Sequence, residues 1–266
     1  MEPSSAPEKP QAEPAFFSGS RSPNQELALG ISVFLLVFGI FFTIQLVVFL
    51  REAIARMPEL EGQSVNLALI QEPAFQQEFE KFAYNGDVIA QAALWSGLGA
   101  LVLLLLCAWL WKRADMRQLL GLKVPRAIEA LKWTGIFILL IAAMEALAWL
   151  SPAFRTDFMT RVVGSTTDLL PLLLGAGLMA PLFEEFLLRG LGYGTLRHVM
   201  DKHAAVAITA GLFTLMHLQY EWTVMLLILP LGVVLGYARA NTGSIWVPVA
   251  LHTLNNVVSV LVPSWY

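Results

Sequence analysis

Residues 27–50 run for about 24 positions without a charge, and apolar blocks of similar length return along the chain. A helix needs about 20 apolar residues to cross the ~30 Å hydrocarbon core of a bilayer, at about 1.5 Å per residue. The chain is 57% hydrophobic and 14% charged, against roughly 25% charged for an average soluble domain. It therefore reads as all-α, a polytopic membrane helix bundle with about seven transmembrane helices. The expected spans are 27–50, 88–111, 131–150, 168 to the glycines at 190, 192 and 194 with an extension to 197, 204–218, 223–238 and 245–262.

The remaining segments fix the organisation. Residues 1–26 are rich in Pro, Ser, Glu and Ala, a composition that builds no core and predicts a disordered tail. The apolar run after it is too long for a secretory signal. Residues 51–87 carry seven acidic against three basic residues and read as an extramembrane loop with short amphipathic helices at 52–56 and 75–82. Residues 112–132 carry six basic and two acidic residues, with Leu119, Leu120, Leu122 and Val124 among the charges. That piece is expected along the membrane surface, on the cytoplasmic side by the positive-inside rule. Counting from it places the amino terminus in the cytoplasm of a multi-pass cell-membrane protein and 51–87 outside. The basic cluster at 197–203 and an inner turn beginning at Arg239 agree; Arg51 and Arg56 point weakly the other way. The division is a cytoplasmic tail (1–26), two spans with an acidic external and a basic cytoplasmic loop (27–127), and a core (128–266). The net charge of -3 gives no reason to expect a nucleic-acid partner. Cys107, the only cysteine, can form no internal disulfide and is read as packing.

Charges inside the apolar blocks are the unusual feature. Residues 181–198 read Pro-Leu-Phe-Glu-Glu-Phe-Leu-Leu-Arg-Gly-Leu-Gly-Tyr-Gly-Thr-Leu-Arg-His. A charge at membrane depth costs about 2.5–3.5 kcal/mol on the insertion scale, so three within six residues imply use. Glu185 and Arg189 are four apart on one helix face and placed to pair. Glu184 lies about 100° away and points elsewhere. Few other polar groups lie deep in the late spans. His217 follows Phe213 by four, and Asn256 follows His252 by four. Glu145, in the third span, reads first as a hydrogen-bonded interior glutamate and second as a neighbour of the site. By residue count, Glu184 and His217 lie roughly 20 Å from the loop at 197–203 and His252 roughly 10 Å from the inner turn, so tilt or a long fourth helix must bring them level.

Glu184-Glu185-x-x-x-Arg189, Phe213-x-x-x-His217 and His252-x-x-x-Asn256 resemble the three signature motifs of the CAAX protease and bacteriocin-processing family of intramembrane endopeptidases. The run from Gly236 to His252 is similar to that family's approach to its last motif, and the likeness covers about 130–262. The resemblance implies an intramembrane endopeptidase, a glutamic-type peptide hydrolase acting on a peptide or membrane-protein substrate in the bilayer. Glu184 would activate water with His217 sharing the proton transfer, His252 and Asn256 would form the oxyanion hole, and Arg189 would hold Glu185, with Phe213 in support. No cofactor is expected. A zinc site on Glu184, His217 and His252 is the alternative chemistry, since carboxylate and imidazole suit that metal. A non-proteolytic membrane scaffold, immunity protein or transporter is the alternative class. The sequence lacks His-Glu-x-x-His, Gly-x-Gly-Asp and Gly-x-Ser-x-Gly, the marks of other intramembrane proteases.

Overall fold

The computed structural model describes residues 21–57 and 66–263, and the described residues are helical with no strand. Helix α1 (Pro23–Ile54) opens on a capping box: Gln25 N–H donates to the Ser22 hydroxyl and the Gln25 side chain accepts from Ser22 N–H, with Pro23 in the first turn. The helix thus starts ahead of the apolar run, and Pro23 to Glu26, expected in the tail, are helical; residues 1–20 lie outside those described. It also continues past residue 50, so most of the separate helix expected at 52–56 is instead its last turn. Gly30, Val37 and Phe41 face the protein. Ile31, Leu35, Leu36, Leu46 and Val47 are exposed, as suits a lipid-facing side.

Helix α2 (Pro73–Phe82) supplies the amphipathic piece expected at 75–82 and sets Phe79 against Phe49 of α1, 4.9 Å between ring centroids. Helix α3 (Gly86–Lys112), capped by Asn85, packs along α1. Helix α4 (Ala127–Leu150) lies against the later helices, and α5 (Phe158–Gly164) is a short connection. Then come α6 (Leu169–Leu196), α7 (Lys202–Leu215), α8 (Trp222–Thr242) and α9 (Trp246–Leu261). Asp201 caps α7; the N–H groups of Ala204 and His203 hold its carboxyl below the usual carboxylate range.

Among the described residues five helices, α1, α3, α4, α6 and α8, are long and apolar enough to cross a membrane. The expected seven therefore reduce to five by this measure. Helices α7 and α9 have 14 and 16 residues, about 21 and 24 Å, short of a bilayer core. Apolar runs in the sequence include the turns that follow such helices, which is why they look longer.

The core is built around α6. Every residue from Glu185 to Thr195 is buried. Phe183, Phe186, Leu187 and Leu191 pack with Phe41, Leu104, Ile245 and Val249 on one side. Leu188 packs with Phe213, Leu231, Leu235 and Leu251 on the other. The basic loop departs from expectation. Leu119 and Leu120 are fully buried rather than laid on the membrane, whereas Val124 is 84% exposed. A Cβ at Gly194 would run into the Leu119 carbonyl, so the short turn Met116–Leu120 sits on α6 where glycine leaves room. The Gly121 carbonyl then accepts Ile245 N–H at 2.9 Å, tying this loop to the start of α9.

Two groups expected in solvent meet in the interior. Lys112 Nζ lies 2.5 Å from Glu26 Oε2, with 5% and 9% of their side chains exposed, and Trp111 Nε1 donates to the same oxygen at 3.1 Å. Removing one member of a buried pair strands the other charge, which costs about 3–5 kcal/mol, whereas replacing both with apolar groups is far milder. Lys112→Met should accordingly lower thermal stability in detergent by much more than Glu26→Leu/Lys112→Met. Equal loss in the two would show that the pair is not what holds α1 to α3.

Candidate active site

Helix α6 is not a regular α-helix. It widens into i→i+5 turns at Leu173–Met179 and Phe186–Gly192, on either side of Ala180–Glu185; such bulges recur at functional sites. The first has a chemical consequence. Ala180 N–H reaches back to the Gly175 carbonyl, and Pro181, the next residue, has no N–H to give. The Ala176 carbonyl is thereby left without its usual helix donors. Asn256 Nδ2 supplies one at 3.0 Å. A side-chain amide has two N–H donors; the second of Asn256 is not used by this bond.

The second wide turn carries the charges. Arg189, fully buried, donates from Nη1 to Glu185 Oε1 at 3.0 Å and from Nη2 to the Gly232 carbonyl at 2.9 Å. Its guanidinium lies 4.6 Å from the Phe213 ring centroid. His252 Nδ1 lies 2.9 Å from the same Glu185 oxygen. Arginine remains charged, so its partner is the carboxylate, and His252 Nδ1–H donates to it. The pairing of Glu185 with Arg189 read from their spacing is present, with His252 as a third member.

Glu184 faces the other way, onto a cavity of about 470 Å³ that His217, His252 and Asn256 also line. Its Oε2 is buried without a hydrogen-bond partner among the described residues. The three motifs therefore converge: Glu184 from α6, His252 and Asn256 from α9, and His217 from beyond α7. Phe213 lines the same space and packs edge-on to His252, 5.2 Å between centroids. His217 was expected inside a span; α7 ends at Leu215 and His217 sits in the turn that follows. Its Nδ1 lies 2.8 Å from the Phe213 carbonyl. A carbonyl only accepts, so Nδ1 carries the proton and a neutral ring leaves Nε2 bare. Met144, not Glu145, reaches the cavity wall. Among the described residues no three His, Cys, Asp or Glu side chains are arranged to hold a metal ion.

Sequence reasoning missed three contributors. Arg239, expected in an inner turn, is 4% exposed within α8 and donates from Nε to the Arg189 carbonyl at 3.1 Å. The Ala176 carbonyl became a partner only through the backbone defect before Pro181. Gln45 of α1 lies in the uncharged run 27–50, where nothing in the local pattern marks it, yet it lines the cavity.

Loss of Asn256 should thus do two things. Asn256→Leu strands the Ala176 carbonyl, and an unmatched buried acceptor costs about 1–3 kcal/mol, so a lowered melting temperature is expected. Arg189→Met should cost more, about 3–5 kcal/mol, because it leaves a buried charge without its arginine partner. A melting temperature unchanged in both would contradict these placements.

Residues 166–258 match the family model described as Rce1-like, type II CAAX prenyl endopeptidase Rce1-like. No curated protein and no solved structure matches the chain. That segment contains Glu184, His217, His252 and Asn256 and is similar to the CAAX prenyl endopeptidases, the family that the three motifs resemble.

Proposed function

We propose that the protein is an intramembrane endopeptidase in which Glu184 and His217 activate a water molecule against a peptide carbonyl. The observation that carries this reading is the meeting of Glu184, His217, His252 and Asn256 on one cavity. Glu184 takes a proton from water as the oxygen attacks the scissile carbonyl, and the bare Nε2 of His217 shares that proton. The proton then passes to the departing amine as the C–N bond breaks, giving a carboxylate and an amine. No acyl-enzyme is part of this scheme: the cavity hydroxyls of Ser259 and Thr156 are engaged by the Asn255 carbonyl and the Phe158 N–H.

The developing oxyanion needs donors. The second N–H of Asn256 is one. His252 uses Nδ1–H on Glu185, so its Nε2 donates only when the ring carries both protons. Glu185, bonded to Nδ1, fixes the orientation of that ring, which gives the second carboxylate a role distinct from that of Glu184. The substrate is a peptide within or anchored to the bilayer. The matched family's name points to prenylated tails, and Phe41, Phe42, Phe49 and Leu227 make an apolar wall suited to a lipid or an apolar side chain. With the basic loop 112–132 in the cytoplasm, the residues lining the far part of the cavity, Ala83, Phe158 and Tyr220, lie toward the opposite face.

The test is the purified full chain in vesicles with a library of single-span peptides, prenylated and unprenylated. Wild-type cleavage should fall about 10²–10⁴-fold in Glu184→Gln and in His217→Ala, with melting temperatures retained. Asn256→Ala should lose most turnover while still binding peptide. Chelator should leave turnover intact; loss on chelation with rescue by zinc would replace the water-activation scheme by a metal one. Normal cleavage by Glu184→Gln refutes the assignment.

A further inference from the structure

Helix α1 lies outside the matched segment 166–258, yet it forms one wall of the cavity with Phe41, Phe42, Gln45 and Phe49. Positions 41, 45 and 49 are spaced four apart and so share a face. Phe41 fixes that face against the active segment by stacking on Phe183, next to Glu184, at 4.4 Å and 17°. Gln45 is thus one turn along from a ring held beside Glu184.

The apolar stretch of α1 contains three polar side chains, and two of them are satisfied by the helix itself. Ser32 and Thr43 donate to the carbonyls of Ala28 and Gly39 at 2.9 and 2.8 Å. Gln45 differs. Its Oε1 is buried and has no hydrogen-bond partner among the described residues, although an unmatched amide in an apolar setting is unfavourable by several kcal/mol on hydrocarbon scales. On the α1 and α3 side of the cavity its neighbours are phenylalanine, isoleucine and alanine. It is the polar group that this wall presents.

Peptide cleavage in such a site creates a matching need. A membrane-spanning substrate must unwind locally to expose its scissile carbonyl, and unwinding frees main-chain N–H groups where water is scarce. We propose that Gln45 is a substrate-positioning residue: its Oε1 accepts a main-chain N–H of the unwound peptide, so that α1 holds the substrate against Glu184. The proposal rests on the peptidase reading and names how that site grips its substrate.

The experiment uses the full chain in phosphatidylcholine vesicles and dye-quenched single-span peptides. For a peptide that wild type cleaves and Glu184→Gln does not, Gln45→Leu should raise KM about 5- to 100-fold with kcat little changed. The same peptide is then made with single ester-for-amide replacements around the scissile bond, each removing one N–H. One replacement should weaken wild type and leave Gln45→Leu unaffected. An unchanged KM in Gln45→Leu overturns the proposal, as does an ester penalty that persists in that variant, since the glutamine then acts through packing alone. If wild type cleaves nothing, the peptidase reading fails by itself. Binding of the peptides to Glu184→Gln and to Gln45→Leu/Glu184→Gln then decides the inference: weaker binding by the double variant supports it, and equal or absent binding overturns it.

Discussion

One carboxylate oxygen in a dry core holds the arrangement together. Glu185 Oε1 accepts from Arg189 at 3.0 Å and from His252 at 2.9 Å. Arg189 also reaches the Gly232 carbonyl, so α6, α8 and α9 are joined through a single charge pair. In a region without water such a network holds only when each charge is matched. Its presence explains why two adjacent glutamates behave differently. Glu185 is tied through Oε1 to Arg189 and His252, whereas Glu184, turned about 100° away, is left to the cavity.

The backbone of α6 contributes as much as its side chains. Pro181 removes a donor from the helix just before Glu184, and the wide turn ahead of it leaves the Ala176 carbonyl to Asn256. A defect in the helix thus becomes the attachment of α9. Close approach elsewhere needs glycine. A Cβ at Gly175 would meet the Ala90 carbonyl and one at Gly194 the Leu119 carbonyl, so neither neighbour could yield cheaply. The second wide turn is closed from outside by Arg239, which donates to the Arg189 carbonyl. The main chain of α6 is thus held by four neighbours, α9, α3, the Met116–Leu120 turn and α8, which suits a group that must be placed to a fraction of an ångström.

Much of this was legible in the sequence, and the reason is local. The Glu185–Arg189, Phe213–His217 and His252–Asn256 relations each lie within one helical turn, and the apolar blocks gave the helical membrane architecture. What the sequence hid depends on contacts between distant segments. Glu26 and Lys112 look solvated because each sits at the edge of an apolar run, yet they meet across 86 positions. Arg239 looks like a loop cation until α8 is seen to run on to Thr242, where Gly243 ends it in a left-handed conformation, φ 68°. Leu119 and Leu120 look like surface anchors until the glycines of α6 make a seat for them. The count of seven spans is not confirmed for a related reason: hydropathy sums over helix and turn alike, and two of the apolar helices are shorter than a bilayer core.

The account stands on water reaching Glu184 within the apolar bundle, and thiol labelling tests that directly. With Cys107 replaced by alanine, a cysteine is placed at Ala180, which lines the cavity four residues before Glu184, and, separately, at Leu139, which is 72% exposed on the lipid-facing side. A charged, water-borne thiol reagent added to vesicles should modify Ala180→Cys and leave Leu139→Cys untouched. Protection of Ala180→Cys, with both proteins folded, would mean the cavity is dry and would contradict hydrolysis at Glu184.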